Sequence, residues 1–205
     1  MGQPDQNNKA TTESLDRASL SYPEFITLMQ ERQQNFHQLP ERANLIEIAK
    51  ILSNSNPQVV ENYTLLVNDN QAFYQKHQEW CDENCEPGDI LSVTTYWLTG
   101  YDTDFKYGGY IDWREEREEV LDHLQQTVES LGYPISLDDI DFPEEAQTYE
   151  DLDTINKHLQ QQSYTLVSLN TWGDSYSFFV VPTDQYAQLK KLGETIGLDF
   201  YDKYL

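Results

Sequence analysis

Apolar residues recur at helical spacing through the first 80 positions. Ser21-Tyr22-Pro23-Glu24 opens a run in which Phe25, Ile26, Met29 and Phe36 form a stripe reaching about His37. Ser followed three residues later by Glu is a capping box, and Pro suits a first helical turn. A second helix is predicted after Pro40, with Leu45, Ile46, Ile48, Ala49, Ile51 and Leu52 on its apolar side; Ser53-Asn54-Ser55-Asn56-Pro57 breaks it. A third is predicted from Pro57 to about His77, carrying Val59, Val60, Tyr63, Leu66, Val67 and Phe73.

Pro87-Gly88 is the next break. Beyond it, Ile90, Val93, Trp97 and Leu98 recur every three or four residues, which favours helix over strand for 89–99, closed by Gly100. The spacing then changes. Tyr107 to Trp113 reads as a short strand with Gly108 and Gly109 bending its entry. Arg114 to Leu131 reads as an acidic amphipathic helix with Val120, Leu121, Leu124, Val128 and Leu131 on one face, stopped by Gly132-Tyr133-Pro134. Residues 135–148 form an acidic connector, and 149–162 a helix with Leu152, Ile155 and Leu159 inward. Residues 164–169 and 175–181 are two strands around the turn Asn170 to Asp174, an antiparallel hairpin ended by Pro182. A last helix spans 183–196 and closes at Gly197.

Helices lead and clear strands arrive late, so the expected class is α+β, with a helical N-terminal half and a small antiparallel sheet packed by helices in the C-terminal half. Residues 1–19 are polar and predict a flexible tail. Residues 20–205 then form one domain, with a helical segment over 20–86 and an α+β segment over 87–205.

Charge adds a second layer. Thirty-six acidic residues stand against thirteen Lys and Arg, a formal charge of −23. Residues 101–153 hold seventeen of those acids and three bases, Lys106, Arg114 and Arg117. Such a surface disfavours nucleic acid and anionic membranes as direct partners and points to a basic protein, a cation, or a face that is only solvated. The start, Met1-Gly2-Gln3-Pro4-Asp5, lacks the basic and apolar regions of a secretory signal, and no apolar run reaches membrane-spanning length. The expectation is a soluble, cytoplasmic protein. Two Cys four apart build no disulfide framework.

Two segments carry a family likeness. Gly109-Tyr110-Ile111-Asp112-Trp113 runs into a helix, and Gly173-Asp174-Ser175-Tyr176 opens an apolar strand ending in Val181-Pro182. This order resembles a bacterial family known as domain of unknown function 6630, over roughly residues 89–197. There a strand ending in Asp-Trp precedes a helix, and a Gly-Asp-Ser-Tyr turn sits in a late hairpin. Where the family has Lys after Asp-Trp, this chain has Arg114, which keeps the charge. The resemblance implies a fold and no reaction.

Candidate chemistry is sparse. Asp112 and Asp174 both sit at strand edges, where a shared sheet would bring them to one end. Paired carboxylates suit cation binding or acid–base work. Each also has a structural role on offer: Asp112 as N-cap of the following helix, Asp174 as a turn residue bonding its own backbone. Ser175 is not in a Gly-x-Ser-x-Gly elbow, because position 177 is Ser. His77, Cys81 and Cys85 share a helix face but lack the second ligand pair of a structural zinc site. Asp138-Asp139-Ile140-Asp141 with Glu144-Glu145 lacks the glycine of a calcium loop. Glu115, Glu116, Glu118, Glu119 and Asp122 cluster near a helix start, where the dipole favours negative charge. No catalytic residue, metal or cofactor is assigned.

Three functions compete. The first is a binding module docking a basic partner through Asp112, Trp113, Glu115, Glu116, Glu119, Asp174 and Tyr176, as an immunity protein facing a cationic toxin or as a DNA mimic. The second is an enzyme or cation-binding domain using Asp112 and Asp174. The third is a structural domain of a larger assembly. The first is preferred.

Overall fold

The computed structural model describes residues 20–85, 89–100 and 103–204. The tail expected over 1–19 and the Pro87-Gly88 break lie outside the described residues.

Helix α1 (Tyr22–Gln34) starts where the capping signal places it. The Glu24 carboxylate accepts from the Ser21 hydroxyl and from the Ser21 N–H, and these bonds hold its pKa below the ordinary value. Two short 3-10 turns lead into α2 (Asn44–Leu52), which buries Leu45, Ile48, Ala49 and Leu52. The Asn56 side chain accepts from the Gln58 and Val59 N–H groups and opens α3 (Pro57–Asn68).

The single helix expected from Pro57 to His77 is broken. Asp69 leaves helical geometry at φ −147°, and its carboxylate accepts the Ala72 N–H at 3.0 Å to start α4 (Asn70–Lys76). α5 (Gln78–Asn84) follows beyond His77. The apolar spacing hides the breaks because Tyr63, Phe73 and Trp80 belong to separate helices facing one core. Asp89 caps α6 (Ile90–Ser92), which widens into a π-helical turn over Val93–Trp97. The helix expected over 89–99 is therefore present, with an irregular second half.

Four strands, β1 (Gly108–Asp112), β2 (Tyr164–Leu169), β3 (Ser175–Pro182) and β4 (Phe200–Tyr201), form one sheet in the order β1-β3-β2-β4. Every neighbouring pair is antiparallel, so the α+β class holds. β4, two residues long, carries too little pattern to be read from the sequence.

The order makes β1 parallel to β2 with β3 between them, and β3 parallel to β4 with β2 between them. Two crossovers result. The first carries α7 (Arg117–Leu131) and α8 (Thr148–Gln161), the second α9 (Thr183–Ile196). Both step in the same direction across the sheet but start from strands of opposite sense. Right-handed connections then require their helices on opposite faces. The contacts agree. Tyr133, just beyond α7, packs against Tyr164 with ring centres 4.7 Å apart. Phe200, whose register partner Leu169 faces the other way, fills the space left by Gly193 on α9.

One continuous core joins the helical segment to both faces of the sheet, from Phe36 through Trp97, Phe178 and Phe179 to Tyr204. Burying each such side chain stabilises the fold by roughly 1.5–3 kcal/mol. Close packing reaches the edge strand: a Cβ on Gly109 would lie 2.3 Å from the Phe178 ring. Gly132 ends α7 at φ +65°, in the left-handed region that glycine enters freely. α1 docks on the end of α9, where Arg32 donates to the Glu194 and Thr195 carbonyls and Gln33 to the Gly197 carbonyl. These bonds satisfy carbonyls that a helix end leaves open.

Candidate functional site

β1 and β3 pair so that Asp112 stands opposite Ser175, and the Trp113 N–H donates to the Asp174 carbonyl at 3.0 Å. The pairing brings Asp112, Trp113 and Asp174 to one end of the sheet. All three are exposed, Trp113 to 41 %. The Arg114 guanidinium lies 4.0 Å over the Trp113 ring, a cation–π contact worth about 0.5–1 kcal/mol at an exposed position.

Asp112 does not cap the helix that follows. Its carboxylate accepts the Arg114 N–H at 2.9 Å, and its carbonyl accepts the Glu115 N–H. This turn uses the side chain before the helix begins. α7 starts at Arg117, with Glu116 in extended geometry at the cap position. Nor does Asp174 close the hairpin loop. Asn170 accepts the Trp172 N–H, and the Thr171 hydroxyl donates to the Ser175 carbonyl, with Trp172 held at φ +60°. The Asn and Thr side chains provide the local bonding expected of Asp174. The Ser175 hydroxyl meets that of Thr171 at 3.3 Å.

Tyr176 pairs with Ile111, so it leaves β3 on the face opposite Asp112 and Ser175. Its ring is 6.2 Å from that of Tyr204, and burial, with Tyr149 adding to it, raises its pKa. Glu115 and Glu116 line a cleft of about 400 Å³ between the start of α7 and residues 144–148. The Glu115 carbonyl accepts the Thr148 hydroxyl at 3.2 Å. Glu119 is exposed in the first turn of α7.

The cleft holds a pair that the sequence pattern does not single out. Arg117 Nε lies 3.0 and 3.1 Å from the two Asp151 carboxylate oxygens, and its Nη2 is 3.0 Å from one of them. The same guanidinium donates to the Pro143 carbonyl at 2.8 Å and covers the Phe142 ring at 4.6 Å. Asp151, 4 % exposed at its side chain, is thereby compensated, and the connector is pinned to the start of α8. The available signal was Arg117 itself, one of three bases in a long acidic stretch.

The His77, Cys81 and Cys85 group is engaged in packing. His77 Nε2 is 2.8 Å from the Asn62 amide oxygen. Cys81 is buried, and desolvation pushes its thiol up to about 12. Cys85 Sγ is 3.5 Å from the Tyr74 hydroxyl. Among the described residues, no group of three or more His, Cys, Asp or Glu side chains is placed to hold a metal ion, and no helix is long and apolar enough to cross a membrane.

Residues 44–204 match the family model described as Domain of unknown function (DUF6630). The chain belongs to the DUF6630 family. The match takes in the Asp112-Trp113 and Gly173-Asp174-Ser175-Tyr176 segments and extends well beyond them, to the start of α2. The helices from α2 onward are therefore part of the DUF6630 unit, in keeping with the core they share with the sheet. α1 precedes the matched residues. No curated protein and no solved structure matches the chain.

Proposed function

We propose that this DUF6630 protein is a binding module that docks a basic partner protein through the acidic surface around Trp113. The supporting observation is an exposed indole set among carboxylates. Trp113 and Tyr22 are the large apolar side chains left exposed among the described residues. Trp113 alone of the two lies beside Asp112, Asp174 and the acidic start of α7. An aromatic anchor inside a charged rim is the arrangement in which a few residues carry most of the binding energy. Carboxylates around it raise the association rate of a cationic partner and discourage anionic ones. Arg114 on the indole shows that the ring accepts a cation, and a partner's Lys or Arg would displace it or take the other face.

The enzyme or cation-binding alternative draws less support, because the Asp112 carboxylate is engaged by the Arg114 N–H. The test is capture from the native host at about 50 mM and about 500 mM salt, with wild type and Trp113→Ala as bait. A basic protein held at low salt, released at high salt and lost about tenfold or more with Trp113→Ala is the expected result. Capture of no basic protein, or binding indifferent to salt, overturns the reading. Competition by double-stranded DNA for the captured protein separates a DNA mimic from an immunity-type inhibitor.

A further inference from the structure

A groove runs between α7 and the extended residues 135–138, with a volume of about 760 Å³. Three aliphatic side chains, Leu121, Ile135 and Leu137, line it among polar ones. Leu121 lies one position off the buried stripe of Val120, Leu124 and Val128, so it is only half-buried. Ile135 and Leu137 alternate with exposed Ser136 and Asp138, so both turn to the same side. Its rim is acidic: Glu118, Asp122 and Asp138 line it, and no Lys or Arg does. Asp122 and Asp138 accept from neutral donors, the Gln126 amide and the Ser136 hydroxyl. None of the three rim carboxylates is in an ion pair among the described residues. The neighbouring cleft differs, since Arg117 there compensates Asp151.

The wall is preformed. The Ser136 N–H donates to the Gln162 side-chain oxygen at 2.9 Å, and the Ser136 carbonyl accepts from the Gln162 amide at 2.8 Å and from the His158 ring at 2.9 Å. The Ile135 N–H donates to the Tyr133 carbonyl, and the Asp138 N–H to the Ser136 hydroxyl. Three of the four N–H groups of residues 135–138 are thus already used, which leaves an incoming extended peptide little strand edge to pair with. A helix arrives with its backbone bonds satisfied and docks by side chains alone.

We propose that this groove seats one face of a basic amphipathic helix from a partner protein. Its aliphatic side chains rest on Leu121, Ile135 and Leu137, and its Lys and Arg side chains reach Glu118, Asp122 and Asp138. The inference rests on the acidic docking reading above and locates a contact within it.

The probe is a synthetic helical peptide of Lys with a Leu stripe at positions three and four apart, beside a control with the same Lys residues and Ser in place of Leu. Both are titrated into the full-length protein carrying labelled Ile, Leu and Val methyl groups. The Leu–Lys peptide is expected to shift the Leu121, Ile135 and Leu137 methyl signals and to bind at least about tenfold more tightly than the control. Asp138→Lys, an exposed change, is expected to weaken it about tenfold with the thermal midpoint retained, and Leu121→Ser serves as a second variant. Equal affinity for the two peptides, methyl shifts confined to the Trp113 end, or no binding of the Leu–Lys peptide at low salt each overturns the groove. Failure of the native-host capture is what overturns the wider acidic surface, so the two losses are distinguishable.

Discussion

Gly109 shows how little room the edge strand has. Adding one methyl group would drive it to 2.3 Å from the Phe178 ring, so Gly109→Ala is expected to destabilise the protein by about 1–3 kcal/mol in urea titration. Gly132 is the control, since nothing lies within 4 Å of a Cβ there and its φ of +65° alone resists substitution. Gly132→Ala is expected to cost about 1 kcal/mol. A Gly109→Ala loss no larger than that of Gly132→Ala would mean that the Phe178 ring moves aside freely. At Arg117, removing the guanidinium leaves the buried Asp151 carboxylate uncompensated. Arg117 is 28 % exposed, which tempers the effect, so Arg117→Ala is expected to cost about 2–3 kcal/mol. Adding Asp151→Asn should restore part of that loss, because the charge left behind is then gone. A double variant as unstable as the sum of the two single changes would contradict this account.

Among elements, the junction of α4 and α5 depends on a neutral histidine. His77 sits between them and bonds Asn62 on α3. Desolvation, then the nearby Lys76 charge, lowers its pKa below the ordinary 6.5. A folded-state pKa below the unfolded one means that the unfolded chain takes up the proton more readily. The stabilising contribution is therefore present above 6.5 and lost as pH falls below that value toward the folded-state pKa. His77→Gln, which keeps an amide for Asn62, is expected to show a shallower loss of stability between about pH 7 and pH 5 than wild type. Urea midpoints across that range provide the measurement, and parallel curves would remove His77 from the explanation. His37, also lowered by burial and by Arg42, persists in both proteins and cancels in the difference.

For the whole molecule, the charge of −23 acts as self-repulsion. Raising salt from about 0.02 M to about 0.2 M shortens the screening length from roughly 20 Å to roughly 7 Å. The thermal midpoint is expected to rise by about 2–4 °C, equivalent to about 1 kcal/mol in a protein of this size. An unchanged midpoint would show that the acidic surface is already balanced by its own local contacts. The same salt range is expected to weaken a basic partner, so stability and binding move in opposite directions.

Local chemistry alone determined much of this protein. The capping box at Ser21 and Glu24, the stop at Gly132, and the hairpin between residues 164 and 182 depend on neighbours within a few positions, so the pattern exposes them. The Asp112-Trp113 and Gly173 to Tyr176 segments were enough to suggest the family whose match spans residues 44–204. Tertiary contacts decided the rest. Asp69 divides a helix that apolar spacing joins, because three short helices present their apolar sides to a common core. β4 exists only because Phe200 finds Leu169 and the space above Gly193. Strand pairing brings the backbones of Asp112 and Asp174 to one sheet end, while alternation along β3 sends Tyr176 to the face opposite Asp112 and Ser175. Arg117 and Asp151 are 34 residues apart, and no local spacing rule links them. Spacing along the chain encodes contacts between near neighbours, whereas register and the burial of distant charges are set by which surfaces meet once the core closes.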